Sequence, residues 1–415
     1  MSEKAINASA GQTALSPRAL RAITHPLNSP IYYPDYLEAE LKANHLLRKL
    51  IGTKSDVLLV TGNATLGIEA SLLSLFEPGD SLVIVNGGVF GQVLVELAIL
   101  LGLSPIELRV PYGAALELEQ LERIVMENPQ ARAVAVVHVE TSTGVQYPID
   151  EIALFTTAHN RLLLVDAVSS LGAIEFKMDA WAVDICIGSG QKALNAPQGL
   201  ALVAVSPRAW DHISRRSMPI PSVCLDLNVW RQFRENDVIA LHQVYKGSGS
   251  RSSHLGKIIH GPSPPASLVY ALVGALEDIF EEGLERVYAR HKVAAEAVRR
   301  GVEALGLQVL SAEEIACPVV TTVLLPEDIN ETQLRIEILE REQIALGWGP
   351  SELGLHCTRI GSMGRAAHPH VQITVIRALG QALQRAGHAC KPQDGMDAAQ
   401  SVFAEVQDRS LWLNE

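Results

Sequence analysis

Short apolar runs alternate with longer, periodically apolar stretches along most of this chain. Residues 57–60, 81–85, 133–137, 162–165, 183–187 and 200–205 are almost continuous aliphatic sequence, broken chiefly by Asp184. A strand covered on both faces has no polar side to show, so these runs read as buried strands of a largely parallel sheet. Helical periodicity predicts helices over 37–50, from 65 to 76, from 149 onward, and over 225–233. Two long ones follow at 268–284 and 284–305, and the last run over 371–386 and 395–406. Before those, 321–325, 331–340 and 344 read as strand, helix and strand, closed by the turn Gly347-Trp348-Gly349.

Punctuation supports this division. Glu77-Pro78-Gly79-Asp80 is a tight turn into the next strand. Ser16-Pro17 is a helix start with proline in the first turn, inside a stretch of 1–25 that reads as an N-terminal arm. Pro30 to Tyr36 is an aromatic cluster with two open readings, a staple onto the core or a wall of the substrate mouth. Residues 246–253, Lys-Gly-Ser-Gly-Ser-Arg-Ser-Ser, form a polar loop without periodicity. The most apolar region, 81–103, is interrupted by Asn86, Gly87, Gly88, Gly91, Gln92 and Glu96, so it reads as strand, turn and helix rather than a membrane span.

Composition narrows the class. A chain of 415 residues, 48% hydrophobic and 19% charged, holds two or three domains with ample core. A net charge of -12 argues against nucleic acid and anionic membrane as partners. The five widely spaced cysteines fit neither a disulfide framework nor a metal site. They fit a reducing compartment. With no apolar segment behind Met1-Ser2-Glu3-Lys4, a cytoplasmic protein is expected.

The candidate chemistry sits at the ends of two apolar runs. Residues 162–165 end in Asp166, followed by Ala167-Val168-Ser169-Ser170. Residues 183–187 lead to Gly188-Ser189-Gly190-Gln191-Lys192-Ala193-Leu194-Asn195. A lysine on a small-residue turn at a strand end can become a nucleophilic amine when burial and neighbouring cations lower its pKa.

Together these two blocks, with Ala196-Pro197-Gln198-Gly199, resemble the pyridoxal-phosphate (PLP) site of class V aminotransferases, in particular the alanine or serine to glyoxylate (or pyruvate) group. The resemblance implies an α/β fold of the type I PLP-dependent transferases. That means a mostly parallel seven-stranded sheet in a large domain, with a smaller C-terminal α/β domain. It places the arm at 1–25, the large PLP-binding domain at 26–275 and the small domain at 276–415. It also implies a homodimer with active sites at the subunit interface.

By the same resemblance, Lys192 carries the cofactor and moves protons, and Asp166 partners the pyridinium nitrogen. Asn63, Ala64 and Thr65 lie on a strand-to-helix turn that holds the phosphate, aided by Gln191. Phe90 stacks on the ring, Ser142 lies beside the phenolic oxygen, and Val168 lines the cofactor. Arg359, in Arg359-Ile360-Gly361, grips the substrate carboxylate with its planar fork, and Gly11 lies near the substrate. His260 and Ser263 match a segment that reaches the cofactor phosphate of the other subunit. The chain departs from the family where Gln12 replaces a proline and His260 a tyrosine; Phe90 matches the stacking position, where many relatives carry Trp or Tyr. His138 is expected to be a satisfied histidine at a strand end, and Arg365 a solvated side chain.

Two alternatives remain. Val110-Pro111-Tyr112-Gly113 and Ile360 to Gly364 also resemble the pyridoxamine–pyruvate group, which acts on free pyridoxamine. Asn63 and Gln191 differ from that group and favour a phosphorylated cofactor. A cysteine desulfurase on the same fold would need a nucleophilic thiol, and Cys357 is the nearest candidate.

Overall fold

The computed structural model describes residues 5–25, 34–246, 265–406 and 409–412. Seven strands form one sheet in the order Val57–Thr61, Leu200–Val205, Ile185–Ser189, Leu162–Asp166, Ala131–Val137, Ser81–Asn86, Ser104–Arg109. Leu200–Val205 runs antiparallel to both its neighbours, and every other pair is parallel. The expected mostly parallel sheet is therefore present.

The apolar runs are explained by two cores, one on each face. Successive strand residues point to opposite sides. Leu163 and Val165 enter one core and Leu162 and Leu164 the other. Each such side chain contributes about 1.5–3 kcal/mol by leaving water. Asp166 ends this central strand, in register with Val137 on one side and Ile187 on the other. The sheet thus delivers a carboxylate to its C-terminal edge, where parallel sheets carry their ligands.

A smaller C-terminal unit follows. Its antiparallel sheet of Gln308–Val309, Val320–Leu324 and Cys357–Gly361 is covered by helices, including Glu331–Glu342 and Pro369–Arg385. Val298, Ile338, Ile360 and Leu379 belong to its own core. The long helices Ala266–Glu282 and Leu284–Ala304 lead into it and are separated by Gly283, whose φ of 91° ends the first. A left-handed backbone there favours glycine.

The N-terminal stretch is stitched to both units. Ile6–Ala8 pairs in parallel with Ile344–Leu346. Thr13 N donates to Gln191 O at 2.9 Å and Ser16 N to Asn195 O at 2.9 Å. Helix Pro17–Ala22 then packs on Ala266–Glu282 so closely that a Cβ on Gly274 would lie 2.8 Å from the Arg18 backbone.

The helix expected at 225–233 is Leu227–Gln232, and it continues as a π-helical segment, Phe233–Ile239. The segment brings Arg234 into the interior, where it meets Glu40 at 3.1 Å and Asp56 at 3.1 Å. Tyr36 is buried in the core, so for this residue the staple reading holds. Tyr32, Tyr33 and the polar loop at 247–253 lie outside the described residues. No helix among the described residues is long and apolar enough to cross a membrane.

Candidate active site

The turn that follows Ile185–Ser189 is built so that Lys192 points inward. Gly190 admits Ala196 and Pro197, since a Cβ there would lie 2.9 Å from Ala196 Cβ. Asn195 takes a left-handed φ of 55° and is tied down by its side chain, which donates to Thr13 Oγ1 at 3.0 Å and Ala14 O at 2.8 Å. Lys192 is 8% exposed, and its Nζ donates to Ala10 O at 2.7 Å. Burial, and then the Arg359 guanidinium, push its pKa down from 10.5 to about 8, while Asp166 and Glu140 resist.

Asp166 is 5% exposed. Its Oδ1 accepts the Val168 N–H at 2.9 Å, and its other oxygen accepts nothing among the described residues. Burial raises its pKa from 3.8 to about 6, opposed by the Val168 bond and assisted by the Glu140 charge.

Glu140 is the residue that sequence reasoning passed over. Its carboxylate is fully buried, and burial holds its pKa above the ordinary glutamate value. One oxygen accepts the N–H groups of Phe90 and Gly91, each at 3.0 Å, at the start of helix Val89–Leu100. The other accepts Ser142 N at 3.1 Å and the Ser142 hydroxyl. A carboxylate at a helix N-terminus meets the positive end of the dipole and two orphan donors. Glu140 therefore fixes the turn that carries Phe90. Ser142 belongs to this cluster, and its hydroxyl is already engaged, accepting Val89 N at 3.0 Å while donating to Glu140. The available signal was an acid lodged between a buried strand and a Ser-Thr-Gly turn.

Arg359 is 8% exposed. Its Nε donates to Trp348 O at 2.8 Å and Nη1 to Thr141 O at 3.1 Å. Its guanidinium carbon lies 5.9 Å from the Trp348 ring centroid. No carboxylate pairs with it, and Nη2 makes no hydrogen bond, among the described residues. Burial lowers its pKa.

On the neighbouring strand end, Gly62 N donates to Gly199 O at 2.9 Å, which ties the 61–65 turn to the lysine turn. The Asn63 side chain caps helix Ala64–Leu75 by accepting Leu66 N at 3.0 Å. Asn63 O takes Leu66 N and Gly67 N. The N–H groups of Ala64 and Thr65 are left without an acceptor among the described residues, as an anion-binding helix start requires. The Gln191 side chain is engaged with the Ser189 hydroxyl. Gly11 follows Ala10 in the turn over Lys192. His260 and Ser263 lie outside the described residues.

Three secondary expectations resolve. His138 is not satisfied: it is buried and neutral, with burial pushing its pKa to about 3, and Nδ1 has no partner among the described residues. The ring stands against Phe176, which offers no donor or acceptor. Arg365 is exposed, as expected. The Cys357 thiol is buried and pushed up to about 11, so it is not a ready thiolate.

These residues fit pyridoxal phosphate. Two free N–H donors await an anion, a buried carboxylate oxygen awaits a cationic donor, and a lysine of lowered pKa stands between them. A lysine and an aspartate at adjacent strand ends of this sheet, with a helix start beside them, define a type I PLP-dependent enzyme. The chain belongs to the class V aminotransferase family, whose profile matches residues 37–218, and it is a PLP-dependent aminotransferase. It is 30% identical over 399 residues to the pyridoxamine–pyruvate transaminase of Mesorhizobium japonicum, covering 96% of each chain. It is 31% identical over 364 residues to the serine–glyoxylate aminotransferase of Methylorubrum extorquens, covering 86% of each. The ureidoglycine–glyoxylate aminotransferase structure from Bacillus subtilis superposes with a TM-score of 0.87 at 28% identity. That match covers 98% of this chain and 99% of the other.

Proposed function

We propose that this enzyme moves the amino group of a small amino acid, such as alanine or serine, to glyoxylate or pyruvate in two half-reactions at one site. The observation that carries the reading is Arg359, a buried guanidinium without an acid partner among the described residues, held close enough to Lys192 to lower its pKa. A carboxylate is the natural occupant of its free edge, and amino acid and oxo acid both bring one.

Bound PLP supplies the aldehyde that receives the amino group and a ring that withdraws electrons from the substrate α-carbon. Lys192 Nζ, with its pKa near 8, exists in both protonation states near neutral pH and can take a proton from the α-carbon and return it elsewhere. Asp166 holds positive charge at the inner end of the site. Ala64 and Thr65 N–H groups hold the phosphate, with Thr65 Oγ1 and Gln191 beside them. Phe90, its backbone fixed by Glu140, excludes water from one face. The Ala10–Gly11 backbone closes over Lys192, which supports a substrate with a small side chain. The working form is a homodimer in the cytoplasm, in which His260 and Ser263 contribute from the neighbouring subunit.

A second reading, exchange between free pyridoxamine and pyruvate, is favoured by the likeness to the Mesorhizobium enzyme over nearly the whole chain. The unpartnered donors at Ala64 and Thr65 favour the phosphorylated cofactor. An absorbance scan separates the two. A visible band that borohydride fixes onto Lys192, and that alanine or serine discharges, is expected. Consumption of free pyridoxamine with pyruvate, without discharge by any small amino acid, overturns the first reading.

A further inference from the structure

At the opposite edge of the central sheet, where the parallel strands begin, a cleft of about 400 Å³ is lined by Arg132, Arg161, Arg215, Arg216 and His212, with Glu77 and Asn160 among them. Leu75 is the one apolar residue of its lining, so the cleft suits a polar guest. Arg132 follows the first residue of Ala131–Val137, and Arg161 immediately precedes Leu162–Asp166. Asp166 ends that five-residue strand, so the cleft is about 15 Å from the lysine site.

The charges here do not cancel. With Arg208 there are five guanidinium groups, against the carboxylates of Glu77, Asp80 and Asp184, in a protein that is acidic overall. The three acids are already engaged. Asp184 binds Arg208, with Nε at 2.9 Å, and accepts the Ser206 hydroxyl at 2.8 Å. Asp80 pairs with Arg132 at 2.9 Å and accepts Glu77 N at 2.9 Å. Glu77 accepts Ser217 N at 2.6 Å and Met218 N at 2.8 Å.

The cations are not all engaged. The guanidinium groups of Arg161 and Arg215 have no ion pair or hydrogen bond among the described residues. The Nε atoms of Arg161 and Arg216 are buried without a partner among the described residues, a state that carries a desolvation penalty unless an acceptor arrives. His212 registers the surplus. Burial first, then Arg215, and later Arg208 and Arg132, lower its pKa, with Asp184 opposing.

We propose that this cleft binds a small organic phosphate, gripped by the Arg161 and Arg215 forks. Guanidinium forks match phosphate oxygens in bidentate fashion, and a dianion meets the two uncompensated charges. The volume exceeds that of a bare phosphate and lies in the range of small-molecule sites. The site is independent of the transamination reading.

The test is calorimetric titration of inorganic pyrophosphate into the cofactor-loaded enzyme, whose active-site phosphate position is then filled. Saturable binding at one site per chain is expected. Arg161→Gln/Arg215→Gln weakens it about tenfold or more, the loss of one or more charge-assisted pairs. Arg215→Gln alone serves if the double variant folds poorly, because Arg215 is exposed. The His212 ring resonance titrates at higher pH with pyrophosphate present, in the parent and not in the double variant. Absent binding, binding unchanged in the variants, or equal binding of citrate overturns the proposal.

Discussion

Asp166→Asn separates stability from function at one atom. Burial raises the carboxyl pKa from 3.8 to about 6. A carboxyl whose native pKa lies above its unfolded value holds extra protons in the folded state between those two pH values. Its contribution is fully present below about pH 4 and is lost as pH rises through about 6. At about 1.36 kcal/mol per unit, the charged aspartate costs the cofactor-free protein about 3 kcal/mol at pH 7.5. Asparagine keeps the acceptor for Val168 N and removes the charge. Unfolding entropy of about 2.1 cal/mol/K per residue makes 3 kcal/mol worth about 3 °C in a chain of this length. Calorimetric scans of protein stripped of pyridoxal phosphate, from pH 4.5 to 7.5, should show the variant melting higher at pH 7.5, with the gap closing toward pH 4.5. With cofactor bound the order should reverse, because the ring nitrogen then supplies the missing cationic partner. A stripped variant that melts lower than the parent at pH 7.5 would refute the assignment of burial as the dominant force on Asp166.

Arg359→Gln should raise KM for amino acid and oxo acid alike by about 30-fold or more, the loss of charge-assisted bonds to a carboxylate, with kcat changed less. Steady-state kinetics with both substrates reads this, and an unchanged KM would sink the role. Lys192 in the cofactor-free protein should react with an amine reagent with a midpoint near pH 8, because burial and Arg359 depress its pKa. Peptide mass spectrometry across pH measures the midpoint, which should move upward in Arg359→Gln, and a parental midpoint above about 10 contradicts the electrostatics. Gly88→Ala should destabilise by about 1–3 kcal/mol, since its Cβ would stand 2.3 Å from Ser142 Oγ and 2.6 Å from Glu140 Cδ. Wild-type melting in this variant would mean that the turn yields more easily than its packing implies.

Six of the seven strands were legible because their apolar runs are buried on both faces, whereas the edge strand Ser104–Arg109, partly exposed and carrying Ser104, Glu107 and Arg109, shows no such run. Asp166 and Lys192 were legible because each is a charged residue at or just past the end of such a run, and Arg359, which lies in the middle of the strand Cys357–Gly361, was legible only through the Arg359-Ile360-Gly361 block. The partners of those charges were not. Ala10, Thr141 and Trp348 act through backbone carbonyls, which any side chain supplies equally well. The N-terminal stretch read as an arm because Ile6–Ala8 is too short to announce itself as a strand. Its partner Ile344–Leu346 lies more than 330 residues away in the chain. Glu140 was visible as an acid, but only the fold shows that its oxygens point at the helix carrying Phe90. His138 was expected to be satisfied because it stands at a strand end, yet its buried Nδ1 has no hydrogen-bond partner among the described residues.

Four charged groups meet in this site, and how they are held bears on the chemistry. Lys192, Arg359, Asp166 and Glu140 influence one another's ionisation, yet none of them forms an ion pair with another among the described residues. Each is held instead by backbone: Lys192 by Ala10 O, Arg359 by Trp348 O and Thr141 O, Asp166 by Val168 N, Glu140 by three N–H groups. Direct pairing of Arg359 with Glu140 would neutralise both and leave a bound carboxylate to break a buried ion pair before it could enter. Pairing of Lys192 with Asp166 would raise the lysine pKa and tie up the oxygen needed at the inner end of the site. Backbone dipoles orient a charge without cancelling it, so attraction for incoming anions and for a ring proton survives folding. The same arrangement underlies the stability penalty expected at Asp166 in the stripped protein, whose buried carboxylate has no cationic partner. The strain on that carboxylate is the measure of how strongly it will hold a cationic partner.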